Sequence, residues 1–182
     1  MRVPLTARRV LALTCAGVLG LMGGCVNSPS TSTEDTTPEA SATTPTEPTG
    51  PNVKPACSLA PASLIKETLN LTVNAPTETA SGSSVQCTYL SGIGGYTVEI
   101  RFETEQDAAS FADRRRATDD GGEPTTDVSG VGDEAYQSSI EFGDTVTNTM
   151  VARKGSVEIQ VAAAAPVDAE KALLTKLFAA LT

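Results

Sequence analysis

The sequence contains no histidine and no tryptophan among its 182 residues. Without histidine, neither a Ser-His-Asp nor a Cys-His catalytic arrangement can form, and every metal site with a histidine ligand is excluded. Basic residues are also scarce, since 13 lysines and arginines stand against 22 acidic residues. An acidic protein repels polyphosphate and anionic lipid head groups. Nucleic acid is therefore not an expected partner, and docking on lipid through a broad basic patch is not expected either.

Residues 1–24 have the composition of a secretory signal peptide. A positively charged start precedes an apolar stretch, residues 10–22, which is too short to span a bilayer comfortably. The stretch ends in Gly23 and Gly24, small residues that a signal peptidase accepts. Removal of this segment would take away the three arginines of its start. The remaining chain would carry ten basic and 22 acidic residues, a net charge of −12.

The end of this segment resembles the lipobox of bacterial lipoprotein signals, which reads roughly Leu-(Ala/Ser)-(Gly/Ala)-Cys. Here the motif is Met22-Gly23-Gly24-Cys25, with methionine in place of the usual leucine. The resemblance implies that Cys25 becomes the mature N-terminus and carries diacylglycerol, usually with an added N-acyl chain such as palmitate. Two or more acyl chains anchor a protein stably, whereas one binds only marginally. The motif thus predicts anchoring to the extracytoplasmic face of the cell membrane. The alternatives are an ordinary signal peptide and an uncleaved anchor.

Residues 25–56 form the predicted lipidated cysteine and a tether. Of the 31 residues after Cys25, 12 are serine or threonine and six are proline, with almost nothing to bury. Such a segment cannot offset its ordering entropy, so we expect a disordered spacer. An O-glycosylated stalk is the other interpretation, because threonines such as Thr43 and Thr44 are clustered.

Residues 57–182 are predicted to form a single globular domain that contains only two cysteines, Cys57 and Cys87. An exported compartment is oxidising, so the two are predicted to form a disulfide bond. The 30-residue separation would stabilise the domain by about 3–4 kcal/mol in the chain-entropy model. The alternative is a pair of buried free thiols.

Hydrophobic periodicity predicts the element order α-β-β-α-β-β-β-α. Hairpin-length connections indicate an antiparallel sheet of about five strands with helices packed mainly on one face, an α+β fold. The clearest strand is 96–102, in which apolar and polar residues alternate. The predicted helices are 61–69, 104–120 and 168–181, and the other predicted strands are 85–90, 135–141, 145–153 and 156–162.

Three short motifs were candidates for chemistry, and each has a structural interpretation beside it. The glycine-rich segment 91–95 could cradle a phosphate, but it joins two strands and lacks a following lysine, which favours a hairpin turn. Segment 130–134 places Asp133 and Glu134 after two glycines, and it is either a structural loop or part of a cation site. The arginines 114–116 are predicted to lie on a solvated helix face. No catalytic, metal or cofactor residue is predicted.

The domain resembles an actinobacterial lipoprotein family catalogued as domain of unknown function 3558. The resemblance is carried by Cys57-Ser58-Leu59 before a helix, Cys87-Thr88-Tyr89 on a strand, and the segment 130–135 before another strand. It implies that the two cysteines pair, and it supplies no catalytic residues. Tyr89 stands where the family often has tryptophan, and Ala60 stands where a capping threonine is common.

These features predict a membrane-anchored extracytoplasmic lipoprotein that acts as a non-enzymatic binding or interaction module of the cell envelope. The partner would be an envelope protein, a lipid or a wall component, with the membrane reached through the Cys25 anchor. The alternatives are an envelope hydrolase that uses carboxylates or a metal, and a lipid carrier. A lipid carrier would need an apolar cavity of at least several hundred Å³, about the size of an ordinary ligand pocket.

Overall fold

The computed structural model describes residues 53–92 and 95–182. The predicted signal peptide, Cys25 and the predicted tether up to residue 52 lie outside the described residues. Among the described residues, no helix is both long and apolar enough to cross a membrane.

Seven antiparallel strands form one sheet in the order β1-β2-β3-β7-β6-β5-β4. The α+β class and the antiparallel pairing are confirmed, but the prediction of about five strands, and with it the element order, was wrong. Two edge strands were missed: β1 is polar and exposed throughout, and β4 has only two residues, so neither shows apolar alternation. The strands are β1 (Thr77–Ser81), β2 (Ser84–Leu90), β3 (Thr97–Glu103), β4 (Thr126–Asp127), β5 (Glu134–Phe142), β6 (Thr145–Lys154) and β7 (Val157–Ala163).

Three α-helices accompany the sheet: α1 (Ala62–Leu69), α2 (Ala108–Asp120) and α3 (Val167–Ala180), with a 3₁₀ turn at Cys57–Leu59. Helix α2 begins four residues later than Thr104, the predicted start. Asp107 is its cap, because the Asp107 carboxylate accepts from the Ser110 amide at 2.7 Å, and the Ser110 hydroxyl accepts from the Asp107 amide at 3.0 Å. This reciprocal pair satisfies two amides that the first turn leaves unpaired.

Helices α1 and α3 cover one face of the sheet, here called the helix face. Alternate residues of β3, such as Ile100 and Phe102, are fully buried there with Leu173 and Leu177 of α3. Burial of this apolar surface supplies the main stabilisation of the fold. Helix α2 lies on the opposite face, where Phe111 packs against Tyr136 of β5 with ring centroids 5.3 Å apart. Two of the three helices therefore share a face.

The predicted Cys57–Cys87 disulfide is confirmed, and its S–S distance is 2.03 Å. It joins the 3₁₀ turn to β2 on the helix face. Close by, the Tyr89 hydroxyl donates to the Ala60 carbonyl at 2.5 Å, and burial raises the pKa of Tyr89 to about 12. The segment before α1 is thus attached to β2 by a covalent bond and by a buried hydrogen bond.

Candidate functional site: a trough on the second face of the sheet

The face opposite α1 and α3, here called the second face, carries polar side chains in rows that cross four strands. Strand register places Glu99, Ala162, Thr149 and Ser138 side by side in one row. The next row consists of Arg101, Gln160, Val151 and Tyr136. The third row consists of Glu103, Glu158, Arg153 and Glu134. Because side chains alternate along each strand, the residues between these rows point into the core beneath α1 and α3.

Helix α2 covers only part of the second face, and the uncovered part forms a trough. The trough consists of two adjoining concavities of about 370 and 410 Å³, which share Glu99, Thr147 and Ala162. Four strands at normal spacing make it about 14 Å across. This size suits a small or elongated ligand. The floor is formed mainly by Glu99, Arg101, Thr147, Thr149, Gln160 and Ala162.

Paired charges lie at the end of the trough next to α2, where Arg101 and Arg114 line it and their partners Glu103 and Glu158 lie behind the lining. Arg114 of α2 approaches Glu158 with its Nε 3.0 Å from a carboxylate oxygen, and it also contacts Glu103. Arg101 contacts Glu103 at 2.8 Å. The side chain of Glu158 is only 1% exposed, so burial, assisted by the nearby Glu103 charge, raises the pKa of Glu158 to about 7.

This pairing corrects the prediction that arginines 114–116 form a solvated face. Arg114 lines the trough and is largely covered, and Arg115 contacts Asp127 and lies over the Tyr136 ring at 5.8 Å. Only Arg116, paired with Asp113, is mostly exposed, with 68% of its side chain accessible.

The other end of the trough carries two aromatic rings and, among its lining residues, no charged side chain other than Glu99. Tyr96 and Phe142 line it, and Phe142, at the tip of the β5–β6 hairpin, is 87% exposed. Ile140, two residues earlier on the same face, is 45% exposed and lines the adjoining concavity. A ligand would therefore meet paired charges at one end of the trough and aromatic rings at the other.

The segment 130–134 is a structural loop. The Asp133 carboxylate accepts from the Gly155 amide at 2.7 Å, and the Glu134 carboxylate accepts from Arg153 at 2.6 Å. Both carboxylates are thus engaged by the β6–β7 turn and its flank, away from the trough. Within residues 53–92 and 95–182, no three potential ligands among histidine, cysteine, aspartate and glutamate cluster in a way that could hold a metal.

The other predicted sites lie away from the trough or cannot be placed. The Cys57–Cys87 bridge is on the helix face. Of the segment 91–95, the Ser91 amide donates to the Tyr96 carbonyl at 3.0 Å, as a hairpin turn requires, while residues 93 and 94 lie outside the described residues. Cys25 lies outside them as well.

Sequence reasoning missed the trough, although part of its signal was present. Alternation in β3 predicted that Thr97, Glu99 and Arg101 would face water, and they do form part of the second face. The extent of the uncovered part depends on the position at which α2 packs on the sheet. No local sequence pattern predicts that position. The run of alternate threonines in β6, Thr145, Thr147 and Thr149, is the one further local sign of a polar sheet face.

No protein-family model, no curated protein and no solved structure matches this chain. The function has to be argued from the trough and from the N-terminal motif.

Proposed function

We propose that the protein is a lipid-anchored binding module of the bacterial cell envelope that holds a polar ligand in the trough. The observation that carries the proposal is the hollow itself: two adjoining concavities of about 370 and 410 Å³ on an open sheet face, lined by charged, amide and hydroxyl groups. A shaped surface with a few convergent polar groups is the usual form of a ligand site.

The location rests on two features of the sequence that agree. The lipobox-like motif ending at Cys25 is typical of a lipid-anchored exported protein, and the Cys57–Cys87 disulfide is typical of an oxidising compartment. Behind the anchor, a 31-residue tether would reach about 30 Å as a coil and about 100 Å if extended. The tether would let an acidic domain stand away from an anionic membrane surface. Membership of the family of domain of unknown function 3558 belongs to the same proposal.

The trough favours binding over the two alternatives. A lipid carrier needs an apolar cavity, whereas the trough floor carries Glu99, Arg101 and Gln160. A hydrolase needs a tuned acid or base in contact with the substrate. The carboxyl groups of Glu158 and Glu170 have raised pKa values, but neither side chain lines the trough.

A tryptophan reporter tests the binding proposal, because the chain has no tryptophan of its own. Phe142→Trp places a fluorophore at the trough mouth, and Val146→Trp places one on the same hairpin but on the opposite face. Both full-length variants are titrated with solubilised envelope fractions. We expect saturable emission changes in Phe142→Trp and none in Val146→Trp. Equal responses from both variants, or silence from both with every fraction, would contradict the proposal.

A further inference from the structure

Glu99 occupies the centre of the trough. It lines both of its concavities and also a smaller hollow of about 60 Å³ that extends towards Gln86. A ligand that fills either half of the trough therefore passes over this carboxylate. Because of this position, Glu99 is the floor residue that a ligand in either concavity would contact.

The Glu99 carboxylate has no ion pair and no hydrogen bond with any residue of the ranges 53–92 and 95–182. Its cross-strand neighbours are Thr88 on β2 and Ala162 on β7, neither of which carries charge. The carboxylates of the row nearest α2 differ, because Glu103, Glu158 and Glu134 each contact an arginine. Glu99 is free to accept a cation from outside.

The cations that line the trough are already engaged. Arg101 contacts Glu103, and Arg114 contacts both Glu103 and Glu158. The charge left for a ligand in the middle of the floor is therefore negative. Arg101, two residues from Glu99 on the same face of β3, is the nearest of these cations, and Glu103 engages it. An ammonium group complements the Glu99 carboxylate, since it is a compact charge with three donors.

We infer that the trough binds an elongated polar ligand whose primary ammonium group pairs with Glu99. The amide of Gln160 and the hydroxyls of Thr147 and Thr149 would bond to its polar body, and Phe142 would contact an apolar or ring group at its end. The inference rests on the proposed function and adds the chemical class of the ligand to it. An oligopeptide with a lysine and an oligomer of an amino sugar both present this chemistry.

Titration calorimetry of the full chain in detergent micelles tests the inference with two pairs of probes. One pair is a blocked tetrapeptide with an internal lysine and a C-terminal phenylalanine, and its Nε-acetylated form. The other pair is a glucosamine trimer and its N-acetylated form. Four extended residues span about 14 Å, the width of the trough. The Glu99→Gln variant is compared with Glu141→Gln, which removes an exposed carboxylate whose strand position faces away from the trough.

We expect one amine probe to bind, its acetylated form to bind at least threefold more weakly, and Glu99→Gln to weaken the amine probe by roughly three- to tenfold. Glu141→Gln should leave binding unchanged. Which pair shows this pattern identifies whether a peptide or an amino sugar supplies the ammonium group.

Binding that is indifferent to acetylation or to Glu99→Gln, or no binding of any probe, would overturn the inference. The Phe142→Trp reporter separates that failure from failure of the proposed function. If the reporter still responds to envelope fractions, the trough is a binding site for a ligand of other chemistry. If it does not respond, the binding function itself fails.

Discussion

At the scale of single residues, the buried carboxyl group of Glu170 makes the stability of the domain depend on pH. Its side chain lies on α3 and is fully buried, and the Ala163 amide, which acts to lower the pKa of Glu170, only partly offsets the effect of burial. Burial raises the pKa of Glu170 from 4.5 to about 8, so the folded protein keeps this carboxyl protonated at neutral pH. In the unfolded chain the same group ionises near pH 4.5.

Because of this raised pKa, the free energy of unfolding should fall as the pH rises from 5 to 8. The stabilising contribution of protonated Glu170 is complete below about pH 4.5 and is lost as the pH rises towards 8. Glu170→Met, which has a similar volume and no charge, should therefore raise the free energy of unfolding by about 3–5 kcal/mol at pH 8 and by far less at pH 5. Urea unfolding at both pH values measures the difference.

Glu141→Met is the control for the Glu170 prediction, because it replaces an exposed carboxylate. Its effect should not change with pH. Glu158, whose pKa is also raised, is present in every variant and cancels from the comparison. Wild type and Glu170→Met curves that run parallel from pH 5 to pH 8 would contradict the account.

At the level of the elements, the backbone of the segment 130–134 lies close to the end of β6. Gly132 has φ +61°, and a Cβ there would lie 2.4 Å from the Arg153 carbonyl oxygen. That oxygen accepts from the Asp133 amide at 2.7 Å, so it cannot move away without losing a hydrogen bond. Glycine at this position lets β5 start beside the end of β6.

Gly132→Ala should destabilise the domain by about 2–4 kcal/mol, from the left-handed backbone and from the steric clash together. The matched control is Gly143→Ala, which has the same φ of +61° but open space around its Cβ position. The control should cost only about 1–2 kcal/mol. Urea unfolding measures the loss of stability in each variant. Equal losses in the two variants would show that the close approach to Arg153 does not contribute to the destabilisation.

The elements also show what the sequence can and cannot predict. Strand 96–102 was predicted to within one residue of β3, because Val98, Ile100 and Phe102 alternate with polar residues. The missed strand β1 has no apolar residue larger than alanine, and its pairing depends on β2 rather than on its own pattern. Helix α2 was given the wrong cap, because Thr104 and Asp107 are both good caps and only the folded loop decides between them. For the site, the alternation along β3 predicted the polar face of the sheet, but not the position of α2, which leaves part of that face uncovered.

At the scale of the whole molecule, the described domain and the N-terminal motif support one account. The domain offers a polar trough about 14 Å across, and its disulfide fits an oxidising compartment. The ligands that can reach the trough depend on the compartment and the surface to which the chain is anchored. Cys25 is the residue that would hold it, because the sequence around it resembles a lipobox and the predicted tether follows directly.

The most direct test of the account is labelling of the full chain with an alkyne fatty acid in living bacteria. The wild-type protein should carry the label and sediment with membranes. Cys25→Ala should lose the label and leave the membrane fraction, whereas Cys15→Ala, which removes a cysteine of the predicted signal peptide, should behave as wild type. Equal labelling of wild type and Cys25→Ala, or no labelling of either, would contradict the account of a lipid-anchored envelope protein.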